Sequence, residues 1–314
     1  MTSSLYVVIP CYNEQEILKE TATQVHRKLK QLIKDNLVSE NSRIVFVDDG
    51  SKDDTWKIIE KLHAKNKTFI GLKLSRNRGH QNALLAGLFF AKEKADIVIS
   101  MDADLQDDIN VIDDFIREYH NGYDIVYGVR SSRDSDSKFK RKSARSFYSL
   151  MRGMGVELVY DHADFRLMSS RALDELAKYS EVNLFLRGII PLIGYPATTV
   201  SYIRKERTAG ESKYPLKKML SFALDGITSF SIKPIRFVFI LGTVFFFVSL
   251  AFLLYVFAQK VLGHTVEGWS FIACSLWFIG GVQMMSIGLL GEYIGKVYAE
   301  TKARPRYVIQ DTLE

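Results

Sequence analysis

The chain has 314 residues, 47% of them hydrophobic, which is enough for a sizeable core and exceeds a single typical domain. Its formal net charge is +6 and its isoelectric point about 9.1. That excess of base points to an anionic partner and leaves nucleic acid, anionic lipid and a phosphorylated substrate open. Only two cysteines occur, Cys11 and Cys274, which argues against a disulfide framework. The apolar run "SLYVVIP" is too short, and too soon followed by Glu14, to read as a secretory signal.

Up to about residue 130, short β-rich runs alternate with amphipathic stretches. "LYVVIP" predicts a first strand, followed by a helix from about Glu14 to Lys34. "RIVFVDD" predicts a second, with a helix after Asp53; "FIGLKLS" a third, with a helix after Gly79. "DIVISMDAD" predicts a fourth, with a helix after Asp108, and "YDIVYGVR" a fifth. Continuous apolar strands joined by helical crossovers predict an α/β fold with a mainly parallel, doubly wound sheet. In such sheets the ligand crevice lies beyond the carboxyl ends of the strands. There stand the polar clusters "PCYNE" (10–14), "DDGSKDDT" (48–55), "SRNRGHQ" (75–81) and "DADLQD" (102–107).

This arrangement gathers Asp48, Asp49, Asp102 and Asp104 on one rim, where like charges repel unless a cation or facing bases screen them. Two residues apart on extended chain, Asp102 and Asp104 share a side, with Cα atoms about 6–7 Å apart. Carboxylates hold Mg2+ or Mn2+ through hard oxygens, and arginines take the remaining charge of a nucleotide diphosphate. A solvated strand end is the bland alternative. Asp107 and Asp108 are expected to start the next helix. His80 is read as a helix-start or core residue, and neither it nor His162 as catalytic. There is no Walker-type loop, and no glycine pattern of the dinucleotide-binding kind follows the first strand, so kinase and dehydrogenase readings lose support. Nucleic-acid binding is disfavoured because the bases flank acids and precede long apolar runs.

Those runs, residues 237–259 and 268–291, carry no charge. Each covers roughly 30 Å as a helix, the thickness of a bilayer core. They predict two membrane spans joined by the short external loop 260–267. Lys233 and Arg236 precede the first, and Lys296, Lys302, Arg304 and Arg306 follow the second, against Lys260 between them. The positive-inside rule puts both termini and the catalytic domain in the cytosol, at the cytoplasmic membrane or the endoplasmic reticulum. The glycines at 280, 281, 288 and 291 allow close packing within the hairpin or between protomers of a dimer or tetramer. Residues 139–154 and 214–236 are amphipathic and suit either the inner leaflet or the domain surface. The expected domains are 1–213 (cytosolic), 214–236 (interfacial), the two spans with their loop, and 292–314 (cytosolic tail).

The ordered set "VVIPCYNE", "VDDGSKDDT", "LSRNRGHQNALLAG", "DADLQD", "GVR", "DFRLMSSRAL" and "GESKY" resembles family 2 glycosyltransferases of the GT-A fold. With the hairpin behind it, the chain is similar to polyprenyl-phosphate glycosyltransferases, the bactoprenol glucosyltransferase group above all, and to dolichyl-phosphate mannose synthases. The resemblance implies inverting transfer of a hexose from a nucleotide sugar, UDP-glucose, to a membrane polyprenyl phosphate. The product would be a lipid-linked donor for envelope glycan modification. GDP-mannose and UDP-N-acetylhexosamine are alternative donors, and a non-catalytic nucleotide-sugar-binding membrane scaffold is the alternative of another class.

Carried over by position, Pro10, Tyr12, Asn13, Glu14, Val47, Asp49 and Ser51 would cradle the nucleoside, with Asp49 on the base. Asp102 and Asp104 match the DxD pair that holds Mg2+ or Mn2+, with Ala103 near the ribose and Gln106 completing the metal neighbourhood. Arg207 and Lys213 would lie near the diphosphate, and Arg130, Arg145 and Arg204 would receive the acceptor phosphate. Asp104, Asp164 and Arg130 form the expected catalytic set. Asp164 stands where the wider family places its base; orienting phosphate or bases, deprotonation, and a structural ion pair with Arg166 all stay open for it.

Overall fold

The computed structural model describes residues 2–130, 162–181, 186–203, 233–262 and 268–314. Strand β1 (Leu5–Cys11) is buried at all seven positions. It lies between two parallel neighbours, β2 (Arg43–Asp48) and β4 (Ile97–Ser100). Such a strand has no solvent face, which is why its sequence is a continuous apolar run. Strand β3 (Phe69–Leu74) extends the parallel set beyond β2. The crossovers are helices α1 (Leu18–Lys34), α2 (Thr55–Lys65) and α3 (His80–Ala91).

Beyond β4 a short 3₁₀ turn, Ile109–Val111, leads into α4 (Ile112–His120) and then β5 (Ile125–Arg130). Strand β6 (His162–Ser169) runs antiparallel between β4 and β5. Helices α5 (Ser170–Ala177) and α6 (Leu186–Leu192) follow. Strand β7 (Ala197–Tyr202) pairs parallel with β5 at one edge. The opposite edge is closed by β8 (Ile309–Leu313), antiparallel to β3. The order is β7-β5-β6-β4-β1-β2-β3-β8, so the parallel core is observed and the antiparallel strands are additions to it. The fold is α/β and GT-A-like.

Two predicted boundaries move. Helix α1 starts at Leu18 instead of Glu14. Asn13 takes a left-handed φ of 55°, and the amides of Glu14 and Gln15 are held by Thr55 Oγ1 and Asp53 Oδ2, so this turn is bound sideways before the helix begins. Strand β4 stops at Ser100, because the last tie to β1 is Met101 N to Val8 O at 3.1 Å. The "MDADLQDD" stretch is therefore loop, with Leu105 at φ 54°.

By internal contacts the chain divides into two compact units, the first regaining residues 304–314. The second consists chiefly of α7 (Lys233–Val261) and α8 (Trp269–Thr301), of 29 and 33 residues. Phe245 and Phe278 meet edge to face across them at 5.6 Å, and Phe237, Phe239, Phe247, Leu276 and Met285 are exposed. Among the described residues no helix is long and apolar enough to cross a membrane. In the full sequence residues 237–259 and 268–291 are uncharged, and the membrane reading rests on that.

Helix α3 packs on β1 and β2 through Gly87, where an added Cβ would stand 2.3 Å from Val8 Cγ1 and 2.8 Å from Val47 Cγ2. Both valines are fully buried. Gly87→Ala gains up to about 1 kcal/mol of helix propensity but overpacks the core by about 1–3 kcal/mol. Thermal unfolding of the variant is expected at a lower Tm than the parent, and an unchanged or raised Tm would refute this packing.

Candidate functional site

The first two rim loops are stitched together by hydrogen bonds. Asn13 donates its amide to Ser51 Oγ at 3.0 Å and accepts Lys52 N on Oδ1 at 2.8 Å. Glu14 N donates to Thr55 Oγ1 at 2.9 Å. Asn13, Glu14 and Ser51 thus shape the loop edge, and Tyr12 stands at it with 40% of its surface exposed. An exposed ring at a strand end offers a face for stacking. Val47 is different: it is wholly buried, beside Pro10 in the neighbouring strand. Its side chain faces Gly87 of α3.

Asp49 has a specific task. Its Oδ1 accepts Arg78 N at 2.7 Å and its Oδ2 accepts Gly79 N at 2.9 Å. Burial pushes its pKa up, although those two amides oppose the shift. Both oxygens are engaged by the β3–α3 loop, so a base contact would share them. Asp48 lies beneath, fully buried, accepting Ser51 N at 3.1 Å; burial raises its pKa as well.

The DxD loop is fastened from behind, where Thr21 of α1 donates its hydroxyl to Ala103 O at 2.6 Å. Gln106 is buried, and its amide donates to Asp104 Oδ1 at 3.2 Å. That bond comes from the Gln106 main chain and tethers the Asp104 carboxylate. The Asp102 side chain is 37% exposed; desolvation among its neighbours pushes its carboxyl up to about 6, Asp164, Asp107 and Asp104 add to the rise, and His80 offsets part of it. The raised value reflects desolvation and neighbouring carboxylates, with His80 the opposing charge beside it. Among the described residues no group of three or more His, Cys, Asp or Glu side chains could hold a metal ion. One or two carboxylates are nonetheless what Mg2+ or Mn2+ requires when substrate phosphates complete its shell, so the donor set fits.

One expectation about this neighbourhood is corrected, that for Asp107, and the two readings of His80 are separated. Asp108 does start the next turn, its carboxylate accepting Asn110 N, but Asp107 turns inward. It is buried, accepts the Tyr202 hydroxyl, and lies 3.8 Å from Arg130 Nη2. Parallel pairing of β5 with β7 sets Arg130 beside Tyr202, so Arg130 reaches the rim on a charged partner from the DxD loop. His80 does open α3, yet it is no core residue. Its Nε2 stands 3.3 Å from Asp164 and 3.6 Å from Asp102, with 41% of the side chain exposed.

Asp164, on β6, accepts Arg166 Nη2 at 2.5 Å and the Nε and Nη2 of Arg187 at 3.3 and 3.4 Å. Burial alone would raise its pKa, but Arg187, the His80 hydrogen bond and Arg166 outweigh it and hold the carboxyl well below the usual range. A carboxylate so stabilised is a weak base, which favours the ion-pair and orienting readings over deprotonation. Arg187 has no counterpart in the expected set. The signal for it is weak, a single base in the apolar run "NLFLRGIIPLIG" (183–194). For His80 the signal was its place in a rim cluster at a strand's carboxyl end. Arg145, Arg204, Arg207 and Lys213, and the amphipathic stretches 139–154 and 214–232, lie outside the described residues.

The glycosyl transferase family 2 profile matches residues 6–177, and that of the GtrB C-terminal hairpin matches residues 233–297. The chain is 56% identical over 305 residues to an uncharacterized glycosyltransferase, YkoT, of Bacillus subtilis (strain 168), covering 97% of this chain and 90% of the relative. It is 37% identical over 306 residues to the prophage bactoprenol glucosyl transferase homolog of Escherichia coli (strain K12), covering 97% of each. Among solved structures, the mannosyltransferase PcManGT from Pyrobaculum calidifontis, in complex with GDP-Man and Mn2+, is similar at 15% identity with a TM-score of 0.49. That match covers 96% of this chain and 86% of the other.

Because Arg166 is almost fully buried, Asp164→Ala leaves an uncompensated guanidinium and is expected to cost about 3–5 kcal/mol in denaturant unfolding at pH 7. A carboxyl acidified by folding contributes fully above the ordinary carboxylate value near 4 and loses that contribution as pH falls through the lower folded value. The gap between parent and variant should therefore narrow only at acid pH. Equal stability at pH 7 would rule out the pairing.

Proposed function

The chain belongs to glycosyltransferase family 2, and from that premise we propose that it transfers glucose from UDP-glucose, with inversion, to the phosphate of a membrane polyprenyl phosphate. The observation that carries this reading is the similarity to a bactoprenol glucosyl transferase homolog along 97% of both chains, hairpin included. Asp102 and Asp104 would hold Mg2+ or Mn2+ at the donor diphosphate, where the ion would offset charge developing on the leaving group. Tyr12 would stack on the base, and the loop fixed by Asp49 would form the nucleoside wall.

A lipid phosphate needs little help as a nucleophile. With a second pKa of about 6 it already carries an anionic oxygen near neutral pH, so the protein's part is to position it and exclude alternatives. Arg130 suits the acceptor phosphate, being a rim arginine steadied by Asp107. Asp164 orients its neighbours and removes no proton. Arg145 and Arg204 join the acceptor side, and Arg207 and Lys213 the diphosphate side, on sequence grounds.

We read α7 and α8 as a membrane hairpin with the catalytic domain and both termini in the cytosol. The uncharged runs 237–259 and 268–291 support this. So does chain topology: β8 follows α8 and pairs in the same sheet as the strands that precede α7. A chain that leaves and re-enters one sheet crosses a bilayer an even number of times. The acceptor phosphate would then reach the rim while its isoprenoid tail stays in lipid.

Purified protein given a panel of UDP-glucose, GDP-mannose and UDP-N-acetylhexosamines, polyprenyl phosphate and Mg2+ or Mn2+ is expected to form glucosyl-phosphoryl-lipid, read by mass spectrometry. Asp104→Ala should lower the rate by at least about 100-fold, the scale of losing one electrostatic contact to developing charge. Full activity in that variant, or UDP binding without turnover on any donor, would sink the proposal.

A further inference from the structure

Strand β8 comes after the helical hairpin in the chain, and the chemistry above makes no use of it. Its pairing with β3 runs from Gly71–Leu313 to Leu74–Ile309 and passes a bulge between Lys73 and Leu74. Beyond the bulge, Ser75 N donates to Val308 O at 2.9 Å, at the point where the chain leaves the sheet. Three and four residues later, the Arg78 and Gly79 amides grip the two oxygens of Asp49. The next residue is His80, against Asp164 and Asp102.

The loop between has little room to shift. An added Cβ on Gly50, beside Asp49, would stand 2.6 Å from Arg76 C and from Asn77 N. Displacement of the loop would therefore act directly on the Asp49 segment. The strand is also anchored in ways that core burial alone does not explain. Four of its five residues are exposed, yet Leu313 packs near Gly71, Glu314 pairs with Lys94 at 2.7 Å, and Arg306 just ahead donates to the Tyr179 carbonyl. An exposed strand held at both ends is suited to fixing an edge more than to filling a core.

We propose that β8 is a positioning element of the donor site. By pinning Ser75 it fixes the 75–79 loop, which in turn sets Asp49 and delivers His80 to the carboxylates. A segment from beyond the hairpin thereby completes the nucleotide-binding rim. This rests on the reading of Asp49 as part of the nucleoside wall.

The test compares the full-length protein with a chain ending at Tyr307, by amide hydrogen exchange and by calorimetric titration with UDP. A Leu313→Asp, Glu314→Lys double variant serves as a second way to unseat the strand if the shortened chain folds poorly. Exchange within residues 75–80 is expected to rise about fivefold, roughly what one net backbone hydrogen bond is worth. UDP affinity should fall by a similar factor, and an added peptide of sequence VIQDTLE should reverse both. Unchanged exchange in the loop would overturn the proposal, as would an equal rise across β1 and β2, which would mark β8 as merely stabilising. If the parent itself fails to bind UDP, the donor reading falls while the exchange comparison still decides the role of β8.

Discussion

Carboxylates crowded onto one rim of the sheet are the constraint to which the rest of the site answers. Parallel pairing of β1 with β2 and β4 brings the strand ends together, and those ends carry Asp48, Asp49, Asp102 and Asp104, with Asp107 and Asp164 close by. Like charges in so small a volume are unfavourable unless each finds a partner. Asp49 takes two backbone amides, Asp107 a tyrosine hydroxyl and an arginine, and Asp164 two arginines and a histidine. Asp102 shares His80 with Asp164, at 3.6 Å, and its carboxyl is pushed up to about 6.

The same compensation holds the loops in position. Asp49 fixes the β3–α3 loop, Asp107 links the DxD loop to β5 and β7, and Asp164 joins β6 to the start of α3 and to α6. Each carboxylate is thus both a charge to be neutralised and a fastening between elements distant in sequence. Activity and stability are consequently coupled at this rim. Removing Asp164 strands the buried Arg166 guanidinium paired to it.

Much of this was legible in advance because the underlying signals are local. Alternating apolar strands and amphipathic helices announced the parallel core, since a strand buried on both faces admits no polar residue. The DxD pair and the loops "PCYNE" and "DDGS" were legible because strand ends in such sheets converge. What could not be read was which acid meets which base. Asp107 looked like a helix starter beside Asp108, and only the pairing of β5 with β7 turns it toward Arg130 and Tyr202. Val47 carried a motif position and is wholly buried in β2. Arg187 carried only a weak signal, a lone base in an apolar run, because its partner Asp164 is 23 residues away and on another element.

Sequence by itself determined the α/β class, the acidic rim and the two long uncharged runs, all of which follow from side-chain periodicity and polarity along contiguous residues. Tertiary structure decided the antiparallel insertion of β6, the return of the chain's last strand to β3, and the assignment of His80 to Asp164 and Asp102. These depend on hydrogen bonds and ion pairs between residues dozens to hundreds of positions apart. Their energies exist only once the sheet order has brought the partners within reach.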